Sequence, residues 1–360
     1  MENQPDGYPI YTACGRPREL GQMHGAQAAE QIRGFLDYLQ TTLRLDRATI
    51  ANRAMRFEPL FRQFCPHLLE EVAGLAQGAS ISLPEALAVQ LRGELTGVRD
   101  DACTAFAIPR RLSADGGTLI GQNSDNPPEL IRFGYVLRLI PEHGPRILIW
   151  TFGGMIGYHG INSHGVAHFA NALGGGPGWR FALSHYPLKR LVLEQHDLPA
   201  VRSLMRAIPV CSNGNYVLCD GRGEITDIEL TSAGPQELPA AAGGWIVHSN
   251  HYHCAAHCSP ENLQQSLPDS LTRQSRLEHL LRESADPLSV ADLKRFLSDH
   301  DGFPTGICRH AHAGAGVDHP MLASSGQTVA ALIAQPDSGL LHISRGNPCQ
   351  TPFTTYRLDD

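Results

Sequence analysis

The 360 residues carry 29 Lys and Arg against 36 Asp and Glu, a formal net charge of −7, and 42 % are hydrophobic. That is enough apolar material for one large domain or two smaller ones. With no Lys/Arg runs and no aromatics interleaved with basic residues, nothing offers an electrostatic footprint to nucleic acid. No apolar stretch reaches the roughly 18 to 20 residues that span a bilayer, and the opening MENQPDGYPIYTACGRPREL lacks a positive segment followed by an apolar run, so no membrane partner and no export are expected. Nine scattered cysteines cannot all pair and form no dense framework, which fits reduced thiols in the cytoplasm.

Ile32, Phe35, Leu36, Leu39 and Leu43 recur at 3, 4 and 7, one face of an amphipathic helix. A second helical stretch is expected from Ile50 to Phe61 and a third carries Leu68, Leu69, Val72 and Leu75. A fourth opens at Ser82 with Glu85 three residues on, a capping box. The first hundred residues thus read as helical throughout. After Arg99-Asp100-Asp101-Ala102 come short apolar runs bounded by Gly, Pro and Asn: CTAFAIP, TLIGQNSD, YVLRLIP, RILIWTF and GVAHFANAL, read as strands in hairpins. Asn162-Ser163-His164-Gly165 reads as a tight turn. A helical interval from about Pro187 to Ile208 precedes a hairpin, NYVLCDGRGEITDIEL, that turns at Asp220 to Gly223, and then a strand, WIVHSNHY. Helices return from Ser270 to Leu281 and from Val290 to Leu297, and TVAALIAQ and GLLHISRG close the chain as strands. The order predicts a layered α+β fold.

Cys103 sits where the helical region ends and the first strand run begins, after the small Ala102. A thiol there can attack the preceding carbonyl in an N-to-S shift, and hydrolysis of the thioester frees an α-amino group beside the sulfur. An α-amine titrates at about 7.7 to 8.0, so near neutral pH it can take the thiol proton and return it to a leaving group. One residue then supplies both nucleophile and base.

The segments DDACTAFAI, LIGQNSDN, GYHGINSHGVAHFANAL, HSNHY, DHDGFPTGICRHAH and HISRGNPC, with ELGQMHGAQAAEQI near the start, resemble in order and spacing the isopenicillin N acyltransferase family of Ntn hydrolases. The resemblance covers nearly the whole chain. It implies self-cleavage between Ala102 and Cys103, a helical prosegment 1–102 that stays bound as the small subunit, and a catalytic core 103–360 with a four-layer αββα sandwich. It also implies roles: Cys103 as nucleophile, the Asn250 amide as part of the oxyanion hole, and Asp125 as holder of the α-ammonium or a substrate amine. Arg309 would receive a substrate carboxylate, and Asn123, Ser124 and His310 would line the substrate site. No cofactor is implied, with acyl-CoA a candidate co-substrate beside a small-molecule amide and an amine acceptor. Two positions depart from the family pattern. Ala102 stands where the family usually has glycine, and Ser124 stands where an aromatic is often found, which suggests a different acyl pocket. Hydrolysis and acyl transfer share every catalytic group, so the residues do not separate them.

The segment His251-Tyr252-His253-Cys254-Ala255-Ala256-His257-Cys258 offers zinc-type ligands but fits no standard spacing and is read as a polar loop, so no metal is expected there. His310, His312 and His319 read as loop histidines, and Gly174-Gly175-Gly176-Pro177-Gly178 lacks the Lys-Ser/Thr of a phosphate loop. Cys14, Cys65, Cys211 and Cys219 are assigned to structure. The competing reading is a metal-binding or scaffold protein on the same fold, in which Cys103 never becomes a chain terminus.

Overall fold

The computed structural model describes residues 7–91, 94–95, 102–241, 243–266, 269–284, 287–311 and 326–359; Arg99, Asp100, Asp101, His312 and His319 lie outside them. The helix predicted from the Ile32 period spans Ala29–Leu43 and buries Ile32, Phe35, Leu36 and Leu39. The stretch expected from Ile50 to Phe61 is two helices, Arg47–Met55 and Glu58–Phe64, because Pro59 has no N–H to bond back to the Met55 carbonyl. Ser82 caps Leu83–Ala88, accepting from the Glu85 N–H while the Glu85 carboxylate takes the Ser82 N–H. Helices Pro17–Gln27 and Pro66–Ala79 meet backbone to backbone through four glycines. A Cβ on Gly21 would lie 1.8 Å from the Glu71 carbonyl oxygen, and one on Gly74 would lie 2.1 Å from that of Arg18. Gly25 and Gly78 repeat the contact one turn on.

The first segment is not helical throughout. Residues Ile10–Gly15 form a strand, β1, which pairs in parallel with Gly134–Pro141, here β4. Between them in sequence lie β2 (Ala102–Ile108) and β3 (Leu119–Asn126). The remaining strands are β5 (Ile147–Phe152), β6 (His159–Asn162), β7 (Ala167–Ala172), β8 (Gly214–Cys219), β9 (Ile225–Thr231), β10 (Gly234–Leu238), β11 (Ile246–His248), β12 (Gln327–Gln335), β13 (Leu340–Arg345) and β14 (Phe353–Arg357). Among the described residues they build an eight-stranded sheet, β1-β4-β5-β6-β7-β8-β9-β10, and a six-stranded sheet, β11-β2-β3-β12-β13-β14. Apart from β1 with β4, the pairs are antiparallel.

The sheets stack face to face. Ala105, Ala107, Ile120, Leu332 and Ile343 of one share a core with Leu148, Ile161, Phe169 and Val217 of the other. On the outer face of the six-stranded sheet, helices Ser270–Glu283 and Val290–Leu297 press Leu277, Leu281, Leu293 and Phe296 onto Phe106, Ile108 and Leu119. Each such fully buried side chain contributes about 1.5 to 3 kcal/mol. Helices His185–Leu193 and Leu198–Ala207 contact β6, β7 and β10 of the larger sheet, and the first-segment helices share its core. The layers run αββα, as the family resemblance implies. No helix among the described residues is long and apolar enough to cross a membrane.

Candidate active site

Strand β11 pairs with β2 from Ile246 opposite Ala107 to His248 opposite Ala105, and there it stops. Continued in register, residue 250 would face Cys103. Side chains take over the missing ladder: the Cys103 N–H donates to Asn250 Oδ1 at 2.9 Å, and Arg273 Nη1 donates to the Cys103 carbonyl at 2.6 Å. Arg273 also reaches Thr104 Oγ1 at 2.6 Å and, through Nη2, Asn250 Oδ1 at 2.8 Å. Two donors on Oδ1 fix the amide's orientation, so Asn250 Nδ2 turns to the Ala172 carbonyl at 2.9 Å. An NH2 group has two hydrogens, and that bond uses one of them. Ser270 Oγ accepts the Asn250 N–H at 2.7 Å and lies 2.8 Å from His251 Nδ1, which pins the turn that presents Asn250.

Behind Cys103 lies a buried chain of charges. Asp125 stands opposite Ala102 on β3, and its Oδ1 accepts from Thr328 Oγ1 at 2.7 Å. Its Oδ2 lies 3.5 Å from Arg309 Nε, Arg309 Nη2 binds Asp269, and the same Asp269 oxygen lies 3.4 Å from Arg273 Nε. The network thus runs Asp125, Arg309, Asp269, Arg273 and ends on the backbone of Cys103, two cations alternating with two carboxylates. Burial raises the Asp125 carboxyl to about 6, against the pull of Arg309 and Arg273.

The structure brings Cys103, Asn250 and Asp125 together, and it moves other expected residues elsewhere. Arg309 is spent on two buried carboxylates, Asp125 and Asp269, and is not presented to a substrate carboxylate. Asn123 is a brace: its Nδ2 donates to the carbonyls of Leu297 and Ile307, both at 2.8 Å, tying β3 to the helical layer. His310 turns to His300, Cys308 and Cys349 instead of to the nucleophile's network. Ser124 is the cross-strand partner of Cys103, on the same face of the sheet, and takes a bond from Asn126 Nδ2 at 3.0 Å.

Arg273, Asp269 and Thr328 were not singled out from sequence. For Arg273 the signal was present: Arg273, Leu277 and Leu281 lie four apart on the buried face of Ser270–Glu283, a cation where the period calls for an apolar residue.

A cavity of about 400 Å³, lined by His251, Tyr252, Leu263, Leu271 and Gln274 among others, opens beside the residues that follow Asn250 and Arg273 in the chain. Burial lowers His251 to about 3 and His253 to about 4, so both are neutral imidazoles at neutral pH. His248 differs. Burial pulls it down, yet Asp227 Oδ2 at 2.6 Å and the His251 carbonyl at 2.9 Å together hold its pKa above the ordinary value. Asp227, His248 and His253 converge, but hydrogen bonds occupy them: His253 Nε2 pairs with Gln274 Oε1 at 2.9 Å. Gly174–Gly178 is a loop whose Gly176 N–H donates to Asn262 Oδ1.

A family model described as Acyl-coenzyme A:6-aminopenicillanic acid acyl-transferase matches residues 112–334. The chain is similar to the 40 kDa form of acyl-coenzyme A:6-aminopenicillanic-acid-acyltransferase from Emericella nidulans, with 27 % identity over 314 residues, 83 % of this chain and 84 % of that protein. Among solved structures it is similar to a mutant of the conjugated bile acid hydrolase from Clostridium perfringens, with a TM-score of 0.50 at 13 % identity, covering 71 % of this chain and 96 % of that one. At that identity the likeness concerns the fold, an Ntn-hydrolase sandwich.

Proposed function

Since the chain belongs to the acyl-coenzyme A:6-aminopenicillanic acid acyl-transferase family and is an acyl-transferring enzyme of the Ntn-hydrolase class, we propose that it matures by cutting itself between Ala102 and Cys103 and then works through an acyl-S-Cys103 intermediate. In maturation, Cys103 Sγ attacks the Ala102 carbonyl carbon. The C–N bond breaks as the C–S bond forms, and the nitrogen becomes the Cys103 α-amine. Water then cleaves the thioester, leaving a carboxylate on Ala102 and returning the thiol. Residues 1–102 stay bound to 103–360 as the small subunit.

In turnover the α-amine accepts the Sγ proton as sulfur attacks the substrate carbonyl, and the departing amine or thiol takes that proton away. Water or an acceptor amine then resolves the acyl-sulfur bond. The observation that carries this reading is the double hold on Cys103, with Asn250 Oδ1 on its nitrogen and Arg273 on its carbonyl. Once the peptide is cut, Asn250 Oδ1 and the Asp125 carboxylate are the acceptors for the α-ammonium, while the second Asn250 N–H is left for the oxyanion. Such a donor contributes about 3 to 4 kcal/mol in a dry site. The substrate is a small-molecule amide or an acyl-CoA with an amine acceptor. Ser124, small where the family often has an aromatic, widens the acyl side. That none of the nine cysteines is in a disulfide supports placing the enzyme in the cytoplasm.

The test is the intact mass under denaturing conditions, wild type beside Cys103→Ala. We expect two fragments breaking at Ala102/Cys103 in the wild type, and one full-length species without acyl transfer in the variant. A single uncut species in both overturns the reading.

A further inference from the structure

Four side chains that the sequence scatters, His300, Cys308, His310 and Cys349, meet at one point, their ligand atoms all within 4.8 Å of one another. The Cys308 and Cys349 sulfurs stand 3.6 Å apart, far beyond a disulfide's roughly 2.0 Å bond, and both cysteines are free. The two imidazole Nε2 atoms are 3.0 Å apart, and His310 Nε2 lies 3.6 Å from Cys308 Sγ and 3.4 Å from Cys349 Sγ. Zinc takes thiolate sulfur at about 2.3 Å and imidazole nitrogen at about 2.0 to 2.1 Å in a tetrahedron. The edges of that tetrahedron are about 3.8 Å between sulfurs, about 3.4 Å between nitrogens and about 3.6 Å between unlike atoms. These four edges match each class to within a few tenths of an ångström, and the two from His300 to the sulfurs lie within 4.8 Å.

The geometry points to a structural zinc site of the Cys2His2 type, formed by His300, Cys308, His310 and Cys349. Binding takes one proton from each thiol, so Zn²⁺ with two thiolates and two neutral imidazoles carries no net charge. With four protein ligands no position is left for a substrate, which makes the site structural. The loop is shaped for this by its own backbone: Phe303 N–H donates to the His300 carbonyl, Cys308 N–H to Asp299, and His310 N–H to Pro304, at 2.8, 3.0 and 2.9 Å. Arg276 grips the Asp299 carboxylate with two bonds, at 3.0 and 2.7 Å. Asn347 Nδ2 donates to Cys308 Sγ at 3.4 Å, the outer contact that orients and steadies a ligating thiolate, and to the Arg309 carbonyl at 2.6 Å.

The placement gives the site a purpose. Arg309 stands between ligands Cys308 and His310, and its guanidinium bridges Asp125 and Asp269 behind the nucleophile. A metal holding residues 308 and 310 to Cys349, 41 positions further along the chain, locks that arginine from both sides.

The experiment measures bound metal by plasma mass spectrometry, on full-length protein desalted after exposure to a small excess of Zn²⁺. We expect about one zinc per chain, unchanged in Cys103→Ala, so the result is independent of self-cleavage. Cys349→Ser and His300→Ala change exposed positions where the fold is not at stake, and each should weaken zinc retention by more than about tenfold. Co²⁺ in place of zinc should give the intense visible spectrum of tetrahedral, thiolate-bound cobalt. Zinc-free wild type, equal zinc in the variants, an octahedral cobalt spectrum, or a Cys308–Cys349 disulfide in peptide maps would each overturn the proposal.

Discussion

Toward the helices Ser270–Glu283 and Val290–Leu297, β2 presents Thr104, Phe106 and Ile108; toward the eight-stranded sheet it presents Cys103, Ala105 and Ala107. The β3 partners follow the same division, with Asn123 and Asp125 on the helical side and Gln122 and Ser124 on the other. Gln122 Nε2 reaches across the gap to the Ala170 carbonyl. The helical face is filled by large apolar groups and by the Asp125-Arg309-Asp269-Arg273 chain, whereas the inter-sheet face has small side chains around the thiol. A strand's period of two lets one residue be braced through its backbone from one side while its side chain is served from the other. The backbone brace and the thiol are thus assigned to opposite faces.

Substitutions at three positions break this division in turn. Arg273→Leu should do the most damage, because it strips the hold on the Cys103 carbonyl and leaves Asp269 with Arg309 alone. We expect about 3 to 5 kcal/mol lost in denaturant unfolding, along with turnover. Arg273→Lys restores the charge without the fork that spans Cys103 and Asn250, so stability should recover while turnover stays low; recovery of both would mean that charge alone matters.

Asn250→Ala should leave a folded protein with kcat reduced on the order of a hundredfold or more and KM little changed, as steady-state kinetics would show. Asp125→Asn should have the mildest effect, roughly ten- to hundredfold in turnover, the worth of one hydrogen bond to a charged group. Its signature is in the pH profile. The folded-state pKa of about 6 lies above the ordinary 3.8, so the ionised carboxylate costs the fold stability above about 6 and that cost is relieved as the pH falls toward 3.8. Turnover, needing the carboxylate, should fall as the pH drops through its pKa, which the neighbouring α-ammonium pulls below the uncut chain's value, and the variant should lose that limb.

Much of the fold was legible because its signals are local. The Ile32 period, the Ser82–Glu85 box, the Asp220 to Gly223 turn and the helix starting at Ser270 depend on residues a few positions apart. Strand β1 was missed because IYTACG is short, carries Cys and Gly, and has only one of its six residues buried, with no strict alternation. Arg309 was expected to take a substrate carboxylate since its partners, Asp125 and Asp269, are remote in sequence and only the fold delivers them. The meeting of His300, Cys308 and His310 with Cys349 was hidden for the same reason. A ligand spacing of 41 belongs to no local pattern.

Strand β1 has a consequence for handling the protein. It precedes Cys103 in the chain, yet it forms the edge of the larger sheet, hydrogen-bonded along β4, while Tyr8 donates to the Val329 carbonyl and accepts at its own carbonyl from Tyr356. A break at residue 102 would leave two polypeptides sharing one sheet and one core. Pulling them apart would uncover the flank of β4, a row of unpaired amides and carbonyls of the sort that templates aggregation. The first segment therefore also serves as a guard on an otherwise adhesive edge, and any two pieces such a break produced would belong in the same tube.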